Sequence, residues 1–345
     1  MRRWHGHLAR EFSLSTQGTA NGANTVILAK KVNGSLDSKS ENVESDFRAG
    51  FVTIAGKPNV GKSTLMNSLI GAKIAAVSRR PQTTRFHLKG ILTRPDCQIV
   101  FVDTPGLIQP RDRFNECLLN QAIEALEDLD LLYHLVEPDD PSPLSDEVAS
   151  VLNHLRCPRF LAINKIDHFG TSAHSDAAPV QAIASHYDEV FRVSALTGQG
   201  LDDLLAHTVA RLPIHPPYYD GDELTDRDQR FLAAEIVREK LFELTEQEVP
   251  YSIATQVEEF KEHPDRKHFI RVVIFVERES QKRMVVGAKG RLLKKIGEQA
   301  RGEIEKLVDH PVYLELWVKV RKNWRKDEAE LRRLGYAVPL RRKHS

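Results

Sequence analysis

Phe51-Val52-Thr53-Ile54-Ala55-Gly56-Lys57-Pro58-Asn59-Val60-Gly61-Lys62-Ser63-Thr64 decides the fold of this 345-residue chain. The apolar, β-rich run Phe51 to Ala55 feeds a loop of the form G-x-x-x-x-G-K-[ST] from Gly56 to Ser63, and Ser63 to Ile70 reads as an amphipathic helix. Strand, glycine loop and helix start, in that order, aim backbone N–H groups and a helix N-terminus at a polyphosphate. Gly61 lets the backbone approach the phosphates closely. Lys62 supplies a point charge for the β- and γ-phosphates, and the Ser63 hydroxyl is placed to ligate Mg²⁺. A chance turn rich in Gly and Lys would lack the flanking strand and helix.

The base is decided downstream. Asn164-Lys165-Ile166-Asp167 follows the apolar run Arg159 to Ile163 and has the form N-K-x-D at a strand end. An ionised Asp only accepts hydrogen bonds, so Asp167 suits the N1–H and exocyclic amine of guanine. Adenine, whose N1 is itself an acceptor, would leave the carboxylate unpaired. Asn164 is expected to tie this loop to the phosphate loop. Ser194-Ala195-Leu196, after the apolar run ending at Val193, would offer backbone N–H to guanine O6.

A third element, Asp103-Thr104-Pro105-Gly106, ends the strand Gln98 to Val102. Asp103 would hold Mg²⁺ through water, and the Gly106 N–H would sense the γ-phosphate. Between the two lies the polar stretch Arg79 to Arg85, suited to an order–disorder switch. In that reading Thr84, rather than Thr83, coordinates Mg²⁺ while triphosphate is present and releases it after hydrolysis. Leu107 stands where some GTPases carry a water-positioning Gln, so intrinsic hydrolysis is expected to be slow. Lys62, Thr84 and Asn59 are the catalytic candidates. Asn59 either helps hold K⁺ beside the phosphates, replacing an arginine finger, or is a plain turn residue.

Composition sets bounds. Hydrophobic residues make up 41% and charged residues 28%, ordinary for a globular protein long enough for two domains. No apolar run reaches the roughly 18–20 residues of a membrane span. Cys97, Cys117 and Cys157 lack C-x-x-C spacing, and no His pair has H-x-x-x-H spacing, so no metal beyond Mg²⁺ is expected. The net charge of +1 conceals a division: Lys261 to Ser345 holds 23 Lys/Arg against 12 Asp/Glu, a balance of +11, and the remainder is −10. A basic C-terminal module behind an acidic nucleotide domain points to a polyanionic partner.

That module carries its own motif. Gly287-Ala288-Lys289-Gly290 is a G-x-x-G loop opening a helix with Arg291 and Lys294 in its first turn and apolar residues at Leu292, Leu293, Ile296 and Ala300. Phe269 to Val276 reads as a buried strand. Val312 to Val320 reads as another, with Tyr313, Leu314, Leu316 and Val318 as its apolar positions. Strands packed on a helix that starts with G-x-x-G describe a KH domain, whose loop clamps four nucleotides of single-stranded backbone. Gly287 to Arg291 and Lys294 are therefore the RNA-binding candidates. A C-terminal module that binds protein instead is the competing class.

The organisation that follows is a P-loop α/β domain at 49–212, with a doubly wound, mostly parallel sheet, then a smaller α+β KH (type II) domain at 227–338. Strands are expected near 51–55, 88–93, 98–102, 131–136, 159–163 and 190–194, and helices near 62–70, 114–127, 144–155 and 201–211. Residues 213–226, with Pro213, Pro216 and Pro217, read as a stiff linker. A helix at 227–245 capped by Asp226 and a last helix from Asn323 to Leu334 complete the second domain. Residues 1–48 lack periodicity and are expected to be disordered, and 339–345 form a basic tail.

With its Gln82-Thr83-Thr84-Arg85 core, Asp103 to Leu107, Leu224-Thr225-Asp226-Arg227, Glu248-Val249-Pro250-Tyr251-Ser252 and His310 to Val320, the chain resembles the Era family of GTPases over roughly 49–338. The resemblance implies GTP hydrolysis to GDP with Mg²⁺ and a guanine-nucleotide site on Gly56–Ser63 (with Thr64 beside it), Thr84, Asp103–Gly106, Asn164–Asp167 and Ser194–Ala195. It also implies a KH domain that binds the 3′ end of 16S rRNA, more tightly with GTP, in 30S subunit assembly. A cytoplasmic monomer with peripheral inner-membrane association is implied too. Two departures stand out. Glu137-Pro138-Asp139-Asp140-Pro141 replaces the usual single-Asp strand end, and the N-terminal extension, with Arg2, Arg3 and Arg10, leaves organellar import as a minority reading.

Overall fold

The computed structural model describes residues 46–78, 80, 82–106, 110, 112–139, 155–168 and 183–339. Residues 1–45, Arg79, Pro81, Leu107 and nearly all of the helix expected at 144–155 lie outside them, and the end of the expected disordered extension is ordered instead, with Phe47 O accepting the His215 N–H at 3.0 Å and Arg48 starting the first strand.

Strands β1 (Arg48–Gly56), β2 (Leu88–Thr93), β3 (Cys97–Asp103), β4 (Leu131–Val136), β5 (Arg159–Ile163) and β6 (Glu189–Arg192) form one sheet in the order β2-β3-β1-β4-β5-β6. All neighbours are parallel except β2 with β3. Every residue of β3 and β4 is buried, as strands covered on both faces must be, and that is why they read as unbroken apolar runs. Helices α1 (Lys62–Ile70), α2 (Arg113–Glu124) and α3 (Leu201–Arg211) belong to this layer. Asp112 starts α2 by accepting the Asn115 N–H at 2.9 Å. Parallel strands gather the phosphate loop, the Asp103 segment and the N-K-x-D loop at one edge, the place where open α/β sheets bind ligands.

The linker does not stand apart as a spacer. The Tyr218 and Tyr219 N–H groups donate to the buried Gln98 Oε1 at 2.7 and 3.0 Å, and Ile91 N–H donates to Leu224 O at 2.9 Å. It runs along the sheet because Gln98 and the free side of β2 supply hydrogen-bonding groups for it.

The second module contains α4 (Gln229–Leu244), the one-turn α5 (Val249–Ser252), β7 (Ala254–Lys261), β8 (His268–Val276), α6 (Glu279–Val286), α7 (Arg291–Val308), β9 (Val312–Val320) and α8 (Glu328–Arg333). Its sheet runs β7-β8-β9, antiparallel then parallel. Ile296, Ala300 and Ile304, four residues apart on α7, are fully buried against it. Helix α4 begins later than expected: Asp228 caps it by accepting the Phe231 N–H at 2.8 Å, and Asp226 instead sits near Arg227. The last helix is shorter, since Asn323 turns with φ 58° and Asp327 supplies the cap to Ala329 and Glu330. Tyr313 is exposed rather than buried: strand alternation turns it and Trp317 outward while Leu314, Leu316 and Val318 pack inward. Among the described residues no helix is long and apolar enough to cross a membrane.

Candidate functional site

Asn164 organises the nucleotide site. Its Nδ2 donates to Val60 O at 2.8 Å and its Oδ1 accepts the Ala195 N–H at 2.9 Å, so one buried amide joins three loops. Gly61, at φ 102°, is required beneath it, because a Cβ there would lie 2.3 Å from Asn164 Nδ2. Asn59 adopts φ 66° at the loop tip, a conformation Asn tolerates better than most residues. Lys62 is buried, with Nζ donating to Gly56 O at 3.1 Å and Lys57 O at 2.9 Å. Burial pushes its ammonium down to about 8 against the pull of Asp103. At that value the ammonium is still mostly charged at pH 7, and an anion beside it would hold the charge more firmly, which suits a polyphosphate.

Three hard oxygens meet next to it. Ser63 Oγ lies 2.8 Å from Thr84 Oγ1 and 2.6 Å from Asp103 Oδ2, and Thr84 Oγ1 is 3.0 Å from the same carboxylate oxygen. Ser63 Oγ and Thr84 Oγ1, 2.8 Å apart, have the separation of two neighbouring oxygens around an octahedral Mg²⁺ at about 2.0–2.1 Å, and the Asp103 carboxylate, hydrogen-bonded to both hydroxyls, lies just behind them. Asp103 Oδ1 is buried without a hydrogen-bond partner, and burial raises the carboxyl's pKa while Lys62, Ser63, Thr84 and the Thr104 N–H pull it back. A cation would supply what that oxygen lacks. Thr104 Oγ1 is occupied elsewhere, donating to Ile54 O at 3.0 Å.

A cavity of about 1020 Å³ opens between these groups and the base-side loops, with Asn59, Lys62, Ser63, Thr84, Gly106 and Asp167 among its lining residues. Pro58, Gly61, Thr64, Lys165, Ala195 and Leu196 face it as well, whereas Gly56, Lys57, Val60, Asp103, Thr104, Pro105, Ile166 and Ser194 do not line it. Ser194 Oγ donates to Asp167 Oδ1 at 2.6 Å, orienting the carboxylate from behind. Ser194 N–H and Ala195 N–H are already donated, to Gln199 O and Asn164 Oδ1, each at 2.9 Å. Glu137, part of the unusual strand end, pairs with Lys165 at 2.6 Å.

The G-x-x-G loop joins α6 to α7. Gly287 (φ 72°), Lys289 (φ 53°) and Gly290 (φ 76°) all turn left-handed, and Gly290 is the residue preceding the first helical turn of α7. A Cβ on Gly287 would lie 2.7 Å from the Leu292 Cβ, so the tight return requires glycine. Ala288, Lys289, Arg291 and Lys294 are outside the buried core.

Sequence reasoning missed three contributors. Phe242 and Glu243, at the end of α4, line the nucleotide cavity from the second module. Arg85, read only as part of the polar switch segment, is fully buried and reaches across to that module. Only its position, one residue after Thr84, could have signalled it.

Residues 51–165 match the family described as 50S ribosome-binding GTPase, and residues 248–325 match the KH domain. GTPase Era of Geobacter metallireducens is 46% identical over 300 residues, covering 85% of this chain and 99% of the relative. GTPase Era of Geotalea uraniireducens is 44% identical over 294 residues, with 85% and 99% covered. The crystal structure of a variant of Aquifex aeolicus Era bound to GDP and AlF4⁻ superposes with a TM-score of 0.81 at 38% identity, covering 84% of this chain and 100% of that one. An Era structure in complex with MgGDPNP and nucleotides 1506–1542 of 16S ribosomal RNA gives 0.80 at 38% identity, covering 84% and 99%.

Proposed function

The chain belongs to the Era family of GTPases, and from that premise we propose that GTP controls its grip on the 3′ end of 16S rRNA during 30S subunit maturation. It converts GTP and water to GDP and phosphate. Lys62 and the phosphate-loop N–H groups bind and orient the β- and γ-phosphates. Asp167, held by Ser194, accepts from the guanine edge, and Leu196 offers its N–H toward O6. Mg²⁺, held by Ser63, Thr84 and, through water, Asp103, would neutralise charge on the β- and γ-oxygens. Asn59 helps hold K⁺ beside the phosphates. Thr84 and Gly106 stay on the γ-phosphate end until hydrolysis and are then released.

In the GTP state this arrangement docks against the KH module and leaves its RNA groove open; after hydrolysis the docking changes and RNA affinity falls. Gly287 to Gly290 admit the RNA backbone, and Lys289, Arg291 and Lys294 bind its phosphates. The convergence of Ser63, Thr84 and Asp103 within 3.0 Å is the observation that carries the reading, because it joins the switch segment to the phosphate loop. We place the protein in the cytoplasm, with peripheral contact to the inner membrane, by its family resemblance. The test is a crosslink map of bound RNA with GTP against GDP: reads from the 16S 3′ end at Gly287–Arg291, ~5–150-fold tighter with GTP, are expected. Equal affinity in the empty, GTP and GDP states overturns it.

A further inference from the structure

Arg85 has a burial that the nucleotide site does not explain. Its guanidinium is fully buried, and no carboxylate among the described residues pairs with it. Backbone carbonyls take that place: one terminal nitrogen donates to Pro250 O at 3.0 Å and the other to Ile253 O. The rings of Phe114 and Phe242 flank it, with centroids 5.1 and 5.3 Å away. Pro250, Ile253 and Phe242 all belong to the second module. A planar fork aimed at two carbonyls between two rings is a socket that only Arg fills well.

The grip continues on both sides. Phe86 stacks on Tyr336 at 4.8 Å and meets Phe231 edge-on at 5.4 Å, and Arg227 donates to His87 O at 2.9 Å. At the upstream end, Val77 N–H donates to Glu239 Oε2 at 3.0 Å, and Glu239 is itself fixed by Lys73 and Lys240. The segment from Val77 to His87 is thus anchored at each end by the C-terminal module. Thr84 is the residue next to the downstream anchor, and its hydroxyl is one of the three converging oxygens. Consecutive Cα atoms are a fixed ~3.8 Å apart, so a locked Arg85 leaves Thr84 little freedom.

We propose that Arg85 is a positioning residue through which the C-terminal module holds Thr84 at the metal and γ-phosphate site, so that both modules build the triphosphate state. This rests on the role of Thr84 given above. A diphosphate does not require Thr84, so losing the anchor weakens triphosphate binding selectively.

The experiment uses the full chain and equilibrium binding of Mg·GDP and Mg·GDPNP, with no hydrolysis in the readout. Arg85→Met should lose ~10-fold or more in GDPNP affinity, the scale of one charge-assisted hydrogen bond, with GDP affinity within about 2-fold. Arg85→Lys should recover part of the loss, because an ammonium can reach one of the carbonyls but not both in the forked geometry. In a Thr84→Val background, Arg85→Met should add little further loss, as expected of two residues acting through one contact. Should Arg85→Met fail to fold, Arg85→Lys decides alone, with a selective several-fold loss for GDPNP expected. Equal losses for both nucleotides, no loss, or full additivity with Thr84→Val overturns the inference. If Thr84→Val itself does not separate GDPNP from GDP, the reading of Thr84 falls first.

Discussion

In the proposed reading Asp167 selects the base by what it cannot do: an ionised carboxylate accepts but never donates. Asp167→Asn replaces one acceptor oxygen with a donor, so guanine nucleotide affinity should fall ~10-fold or more by competition binding. A base with a carbonyl in place of the 2-amine should gain in its stead. Asn59 is tested by the cation: turnover should be faster in K⁺ than in Na⁺, and equal rates would leave it a turn residue. His134 gives the pH behaviour. It is buried against Tyr187, and burial, with Lys57 and Lys62 nearby, holds its pKa down at about 4 against an ordinary 6.5. A depressed pKa means the unfolded chain takes up the proton first. The stability contributed by neutral His134 is therefore complete above pH 6.5 and is lost as pH falls toward 4. Denaturant unfolding at pH 7 and pH 5 should show that loss, and His134→Gln should reduce it.

Helix α4 is buried on most sides, with Arg238, Glu239 and Lys240 all inside the molecule. Its cap is exposed to a simple test: Asp228→Ala should cost about 1 kcal/mol by denaturant melts, because the Phe231 N–H loses its acceptor. The loop before α7 makes a functional counterpart. Open space surrounds Gly290, and Asp tolerates a left-handed φ, so Gly290→Asp should fold. The added anion should abolish RNA binding and spare GTP hydrolysis; intact RNA affinity would mean that this loop does not hold the RNA backbone. Legibility also varied by element. Strands β3 and β4 were readable because burial on both faces leaves nearly unbroken apolar runs, whereas the edge strands β2 and β6 are partly exposed and were read from the shorter apolar pieces beside the motifs. Strand β7 was not, since Glu258, Glu259 and Lys261 interrupt a half-exposed strand, and α6 hid inside the basic approach to the glycine loop. Asp167, Ser63 and Lys62 could be singled out as lining residues because local motif spacing marks them. Phe242, Glu243 and Arg85 were not, because only the docking of two modules gives them a partner.

At the scale of the whole molecule, the charge division and the docking serve different ends. Phe114, Trp324 and Tyr336 share one apolar cluster with Phe275, so α2, β8 and the C-terminal segment are packed together, and the pairs Arg325–Asp112 and Arg113–Glu328 cancel charge locally at that contact. The basic excess is then available for a polyanion. A clamp on four nucleotides that releases counterions from four phosphates gives a slope of about −2.8 in log affinity against log salt for a single strand. RNA affinity should therefore drop roughly 50-fold between about 50 and 200 mM salt. Lys289→Ala should make that slope shallower by about 0.7 without altering which sequence is preferred, since a phosphate contact carries no base information. GTP affinity in the Lys289→Ala protein should match the parent, because the loop and the nucleotide cavity share no residue. Salt titrations of RNA binding on the parent and Lys289→Ala proteins measure both numbers, and a flat salt response would mean that the basic face meets something other than nucleic acid.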